Sequence, residues 1–420
     1  MFDKTYGPLV AGRLVNAVAF WGQALVVATL TFSATGSATW VGLVGAALFL
    51  PQMILALPMG QFADKHGPKR QIIAGSTICA ISAVVLAIWA HVLGPEAGND
   101  FAVALLVTSF VSGVGAATSA PATESIAPKL VTRAELPSAV SLNYIPPALG
   151  RTIGPAGGAL VATAASPAIA LICAACLHLA LTAAMLVMTI PKPEHADTSV
   201  DALRISGALR AVRQDRHMLG MLLGVAFVGI GVEPALTLAP AIAAEFGSLV
   251  AGAGRITSSF GLGGVVGVGL HKLVQGRVDG QREGWVALML IGCMMGAVTI
   301  SPSLALTSVA MGLAGASMLM AVTGFSTAIQ QICPPAMLGR VMALWLVAFA
   351  GIRPFAGLAQ GFLADHLSTN GALLITALLI VSASMAGLWT MRRTPLAMAD
   401  PPVEPTASAT SVTTPGSVSS

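Results

Sequence analysis

Charge is what this sequence has least of. Asp, Glu, Lys and Arg make up 9% of its 420 residues, against roughly a quarter in an ordinary soluble domain. Hydrophobic residues make up 55%, and no division of the chain into water-soluble domains hides that much apolar surface. A bilayer does. The net charge of +4 comes from dispersed basic residues, which excludes a nucleic-acid face. No phosphate-binding G-x-x-x-x-G-K loop is present, and no ATP site is expected. Gly261, Gly263, Gly264, Gly267 and Gly269 follow no strand and therefore make no dinucleotide loop. Small residues at that spacing let helices approach closely. Cysteine is scarce, and the Cys173-x-x-Cys176 pair sits inside an apolar run without the βαβ context of a redox motif. The first apolar run is too long for the core of a cleavable leader. No enzymatic activity, metal or cofactor is expected.

What is there is a series of apolar runs. A crossing helix needs about 20 residues, and twelve runs qualify: 8–32, 40–62, 71–93, 101–123, 137–163 and 167–190, then 218–244, 252–274, 284–302, 304–332, 340–363 and 370–391. The expected fold is an all-α membrane protein. A six-helix bundle (1–190) and a second (218–393) flank a cytoplasmic linker (191–217), and 394–420 form a polar tail too poor in apolar residues to fold. In the linker, Leu203, Leu209 and Val212 alternate with Arg204, Arg210, Arg213 and Arg216 at helical spacing, the pattern of an amphipathic helix lying on a membrane surface. With both termini cytoplasmic, 17 of the 21 Lys and Arg residues fall on the cytoplasmic side and four (Arg13, Arg151, Arg255, Arg353) lie within runs, leaving none in the opposite loops. That asymmetry fixes the expected topology.

The two halves carry a weak repeat. At an offset of 202 residues Gly113 pairs with Gly315, Leu136 with Leu338, and Arg151 with Arg353. Transporters are often built as two such halves around a central site.

The loop after the second run reads Gly60-Gln-Phe-Ala-Asp64-Lys65-His-Gly67-Pro68-Lys69-Arg70. This resembles the loop signature of the major facilitator superfamily. The run Pro121 to Val131, with Arg151-Thr-Ile-Gly154-Pro155-Ala-Gly157-Gly158 and the Arg340-Val-Met-Ala-Leu344 entry to the eleventh run, is similar to the branch of the enterobactin exporter and macrolide efflux pumps. The resemblance covers roughly residues 8 to 391. It implies two six-helix bundles, alternating access, and export by proton antiport from a bacterial inner membrane, by a monomer. It implies that Asp64 latches the halves near Gly339 and Arg340, with Gly60 allowing close approach. Pro68 departs from the usual basic residue, so Lys69 or Arg70 would take Glu124 instead. Gly154, Pro155, Gly157 and Gly158 resemble the antiporter motif, a kinked and closely packed helix. Relatives also carry an acid where this chain has Phe20 and an arginine where it has Thr123, so proton coupling through those positions is ruled out.

Charges inside the bilayer mark the pathway, because each costs at least ~2.5–3.5 kcal/mol there. Arg151 and Arg353 are mid-span, and Arg13 and Arg255 lie nearer the surfaces. The only carboxylate well inside a run is Glu233, followed by Pro234. The expected substrate is a small amphiphilic organic molecule, drug-like or siderophore-like, whose negative charge would suit Arg13, Asn16, Asn143, Arg151 and Arg353. Glu233 is the expected proton carrier, or else a structural partner for Arg255. His178 is a second titratable group, expected to be packed. Import, facilitated diffusion, or a non-transporting receptor on the same fold remain as alternatives.

Overall fold

In the computed structural model of the chain, residues 6–126, 145–188, 212–213 and 215–393 are described. Among them regular structure is helical, apart from one isolated bridge between Gln275 and Val278. The first half contains α1 (Tyr6–Thr35), α2 (Ala38–His66), α3 (Pro68–Val92), α4 (Asn99–Ile126), α5 (Ile145–Ala164) and α6 (Pro167–Val187). The second contains α7 (Arg216–Val232), α8 (Pro234–Thr237), α9 (Ala239–Glu245), α10 (Leu249–Val274), α11 (Gly280–Thr299), α12 (Leu304–Ile332), α13 (Pro335–Gly351), α14 (Arg353–His366) and α15 (Thr369–Arg393). The tail, most of the linker and Asn143 lie outside the described residues. So does most of the expected amphipathic helix at 201–217, and its last residues instead start α7, with the Asp215 carboxylate accepting from the amides of His217 and Met218.

Ten of these helices or helix runs are long and apolar enough to cross a membrane. α5 and α11 have 20 residues each but are not among the ten. Glycine, proline and Arg151 dilute α5, and α11 opens with Gln281, Arg282 and Glu283. Outward-facing side chains along the helices are apolar, as at Ile88, Val107, Leu306 and Leu378, while Gln23, His178, Glu233 and Arg353 are buried. That arrangement reverses the rule for a protein in water and suits one in lipid.

Local chemistry sets the helix ends. Ser37, Ser166 and Ser303 cap α2, α6 and α12 through their side-chain oxygens. Gly67 adopts φ +85°, a conformation glycine reaches without strain, and Pro68 opens α3 with a fixed φ and no amide to leave unpaired. The basic residue expected at 68 is replaced by a helix start.

The two halves have differently built cores. The second holds one continuous apolar cluster that includes Trp285, Ile291 and Phe325. A small cluster joins Ala24, Leu48 and Phe49 of the first to Leu236, and two larger ones lie within the first, one around Leu9, Ile72, Leu181 and Met185, the other around Val26, Leu86, Phe101 and Leu105. Between these two larger clusters, along α1, α3, α4 and α6, runs a polar layer. His178 Nδ1 lies 2.8 Å from Asn16 Oδ1 and its Nε2 3.3 Å from Gln23 Oε1, Gln23 Nε2 donates to Ser112 Oγ at 3.0 Å, and Ser76 Oγ and Thr182 Oγ1 are 2.8 Å apart. Every member thereby gains a partner that the bilayer interior cannot supply.

The halves meet along two helix pairs, α2 with α14 and α5 with α10. The pairs are related by the internal repeat. A Cβ on Gly42 would lie 2.6 Å from the carbonyl oxygen of Gly357, and one on Gly254 would lie 3.2 Å from that of Pro155. α2 begins and α14 ends at the same end of the molecule. There Asp365, at the close of α14, accepts hydrogen bonds from Ser37 Oγ at 2.5 Å, the Ala38 amide at 2.7 Å and the Thr39 amide at 3.0 Å. α2 packs far more on α14 than on α13. Gly351 touches Met53, and among the described residues a Cβ on Gly60 or Gly339 would find no atom within 4 Å.

Candidate functional site

Two helix breaks face each other at the centre of the molecule. Pro234 has no amide to give, so the carbonyl of Ile230 loses its helical partner and the helix stops at Val232. Gln360 Nε2, from α14, donates to that carbonyl at 3.0 Å. Thr257 on α10 donates to the carbonyl of Ala235 at 2.7 Å. The second break is at Ile352, with Pro354 in the first turn of α14. Glu233 stands at the first break and Arg353 at the second, and Arg353 Nε donates to Glu233 Oε1 at 2.5 Å with both side chains at most 7% exposed. Glu233 therefore pairs with Arg353, while Arg255, on α10, is exposed.

Arg151 and Arg353 line one cavity between the halves, with Trp21, Leu236 and Phe260. Each guanidinium lies over an aromatic ring, Arg151 at 4.7 Å from the centroid of Trp21 and Arg353 at 4.5 Å from that of Phe49. Cation–π contacts of this kind strengthen as water leaves. Phe20, Trp21 and Phe49 pack together with centroids 5.6 to 6.2 Å apart. Arg353 has Glu233 as counter-ion, whereas Arg151 Nε is buried with no hydrogen-bond partner among the described residues.

The remaining sequence-predicted residues fall elsewhere. Arg13 and Asn16 do not line this cavity. Arg13 is buried in α1, and Asn16 is engaged with His178. Gly154 and Gly158 face Gly22 of α1, where a Cβ would approach backbone oxygens or nitrogens to 2.9 Å or less, but Gly157 has no atom within 4 Å and is not part of that contact. In the loop signature, the side chains of Asp64, Lys65 and Glu124 lie outside the described residues. Lys69 Nζ donates to the carbonyls of Met188 at 2.6 Å and Leu186 at 3.3 Å, capping the end of α6. Arg70 is exposed and Arg340 half-buried.

Sequence reasoning missed Trp21, Phe49, Gln360 and the Asp365 contact. Two signals were present. Gln360 follows Arg353 by seven residues, which puts them on one helix face. Gly361-Phe-Leu-Ala-Asp365 echoes Gly60-Gln-Phe-Ala-Asp64, placing the same short pattern at the C-terminal ends of α14 and α2.

The family described as transmembrane secretion effector, of the major facilitator type, matches residues 3–407. No curated protein sequence matches the chain. Among solved structures, a bacterial homologue of the human lysosomal transporter Spinster, inward-facing and unoccupied, is similar with a TM-score of 0.73 at 15% identity, covering 93% of this chain and 98% of its own. A D-xylose–proton symporter gives 0.71 at 14%, covering 90% and 96%. A nucleoside transporter gives 0.70 at 16%, covering 92% and 99%. At these identities the likeness is one of fold.

Proposed function

Because the chain belongs to the transmembrane secretion effector family of major facilitator transporters, we propose that this membrane transporter is a proton-coupled exporter of a small amphiphilic organic molecule. In this reading twelve helices cross a bacterial inner membrane in two bundles (1–190 and 218–393) joined by the linker 191–217, with both termini cytoplasmic and the protein a monomer. The end sealed by Asp365 faces out, so the cavity opens inward to collect substrate. Asp365 on the start of α2 and Asp64 on the start of α13 are then alternate latches, one formed while the other is parted. In both, a carboxylate meets the N-terminal end of a helix, where negative charge is stabilised.

The observation that carries the reading is the buried Glu233–Arg353 pair set at two helix breaks. Burial disfavours a lone carboxylate and a neighbouring guanidinium favours it, so in this reading the contact with Arg353 is the switch. Parting α7 from α14 would let Glu233 take a proton from outside, and rejoining would expel it inward. One proton moved through ~120 mV supplies ~2.8 kcal/mol, enough for a roughly hundredfold gradient. In inverted vesicles, wild type should accumulate amphiphilic dye or siderophore-type anion when the lumen is acidified. Accumulation by Glu233→Gln against a gradient would overturn the assignment.

A further inference from the structure

The repeat that relates the two arginines also relates their partners, and there the halves differ. Leu48 touches Gly113 in the first half as Phe260 touches Gly315 in the second, which sets an offset of 212 residues for these early helices (260 − 48). Ala17 against Gly150 and Gly229 against Ile352 give the same offset (229 − 17). Residue 21 therefore corresponds to residue 233 (233 − 21). In the second half the arginine meets Glu233, and in the first half the arginine at the matching place meets Trp21. One carboxylate of a symmetric pair is missing, and an aromatic face stands in its place.

Charge makes the same point. Arg151, Arg353 and Glu233 leave one positive charge at the site, and Arg151 Nε is buried with its hydrogen-bonding capacity unused. Arg151 as a whole is partly exposed, so what stays unmet is the buried Nε donor, and a buried donor without an acceptor is costly. A single anionic group beside Arg151 would neutralise the site and give Nε an acceptor. What adjoins that seat is apolar and partly aromatic: Trp21, Leu236 and Phe260.

We propose that the transported substrate class is a monoanionic aromatic acid, with its carboxylate or phenolate on Arg151 and its ring against Trp21 and Phe260. This rests on the transport reading above and narrows it. Arg353 is held by Glu233 and does not bind the anion. A dianion would overshoot neutrality, and an ammonium would face two arginines.

The test uses the full-length protein in nanodiscs, with 2-naphthoate as probe and heat flow on titration as readout. Naphthoate should bind at least tenfold tighter than its neutral amide, its dicarboxylate analogue or naphthylmethylammonium. Arg151→Gln should abolish binding and Arg151→Lys should retain part of it. Trp21→Leu should keep anion selectivity but lose the preference for naphthoate over decanoate, which separates a binding role from misfolding. Equal affinity for the amide or the ammonium, or full binding by Arg151→Gln, would overturn the proposal. Naphthoate flux is then measured in proteoliposomes with and without a pH gradient. Binding and flux that ignore the gradient would sink proton coupling and leave the substrate class standing. Proton-driven flux of other compounds without naphthoate binding would do the reverse.

Discussion

Arg353 and Glu233 join two helices that are each broken at the point of contact, with Nε and Oε1 2.5 Å apart and neither side chain more than 7% exposed. The breaks are what bring the pair together, because an unbroken α7 would keep its own carbonyls and leave Gln360 no acceptor at Ile230. Removing one partner of a buried pair costs on the order of 3–5 kcal/mol, while removing both costs far less. Glu233→Gln and Arg353→Gln should each lower the thermal midpoint in detergent. The double variant should recover part of that loss, which differential scanning fluorimetry would show, and strictly additive losses would mean the two residues do not interact.

Asp365 draws together three donors from the start of α2, so Asp365→Ala should loosen the sealed end. With the native cysteines removed, Val41→Cys, beside that seal in a cavity shared with Gly45 and Leu48, should react with a membrane-impermeant maleimide several-fold faster when Asp365 is also replaced. An unchanged labelling rate would remove Asp365 from the closure.

Gly42 and Gly357 act at the same seam from the backbone. A Cβ on Gly42 would sit 2.6 Å from the Gly357 carbonyl oxygen, closer than packed atoms tolerate, and no flexible side chain is there to move aside. Gly42→Leu should wedge the halves apart at that end while leaving each half folded. Spin labels on Thr39 and Phe362 should report a longer distance than in wild type, and an unchanged distance would show that the seam adapts without opening.

Much of the fold was legible because lipid leaves few options: apolar runs of crossing length must be helices, and among the described residues each expected run is mostly helical, with breaks at Glu233, Leu238 and Ile352 and an early end at Thr299. The two arginines were legible as rare charges in apolar runs, and the offset of 202 foretold that they correspond. Their partners were not. Trp21 is one aromatic among many apolar residues of α1 and becomes informative only when Arg151 lies on it. Asn16 shows the opposite difficulty: a polar residue in a crossing helix reads as pathway, and in the structure it bonds His178 within its own half. One sequence gives the spacing of polar residues along a helix but not which neighbour each face meets.

The polar layer in the first half gives a prediction opposite in kind to that for Glu233. His178 is fully buried and holds Asn16 and Gln23. His178→Phe would leave both amides short of a partner, at about 1–3 kcal/mol for each unsatisfied group. The thermal midpoint should fall, while the dependence of transport on the pH gradient should stay as in wild type. A loss of gradient dependence at wild-type stability would instead make His178 part of the proton path.

The unequal repeat can be tested by restoring what it lacks. Trp21→Glu would place a carboxylate at the position corresponding to Glu233, beside Arg151, and the site would then hold two cations and two anions. If the vacant counter-charge is what the substrate supplies, this variant neutralises the site from within. It should fold at least as well as Trp21→Gln, which adds a polar group of similar size without the charge. Its affinity for 2-naphthoate should drop at least tenfold below that of Trp21→Gln, because the anion would have to displace a tethered carboxylate at high effective concentration. Lowering the pH far enough to protonate Glu at position 21 should restore binding in Trp21→Glu and leave Trp21→Gln unchanged. Titration calorimetry at two pH values distinguishes these outcomes, and equal affinities in the two variants at neutral pH would mean that Arg151 does not hold the anion.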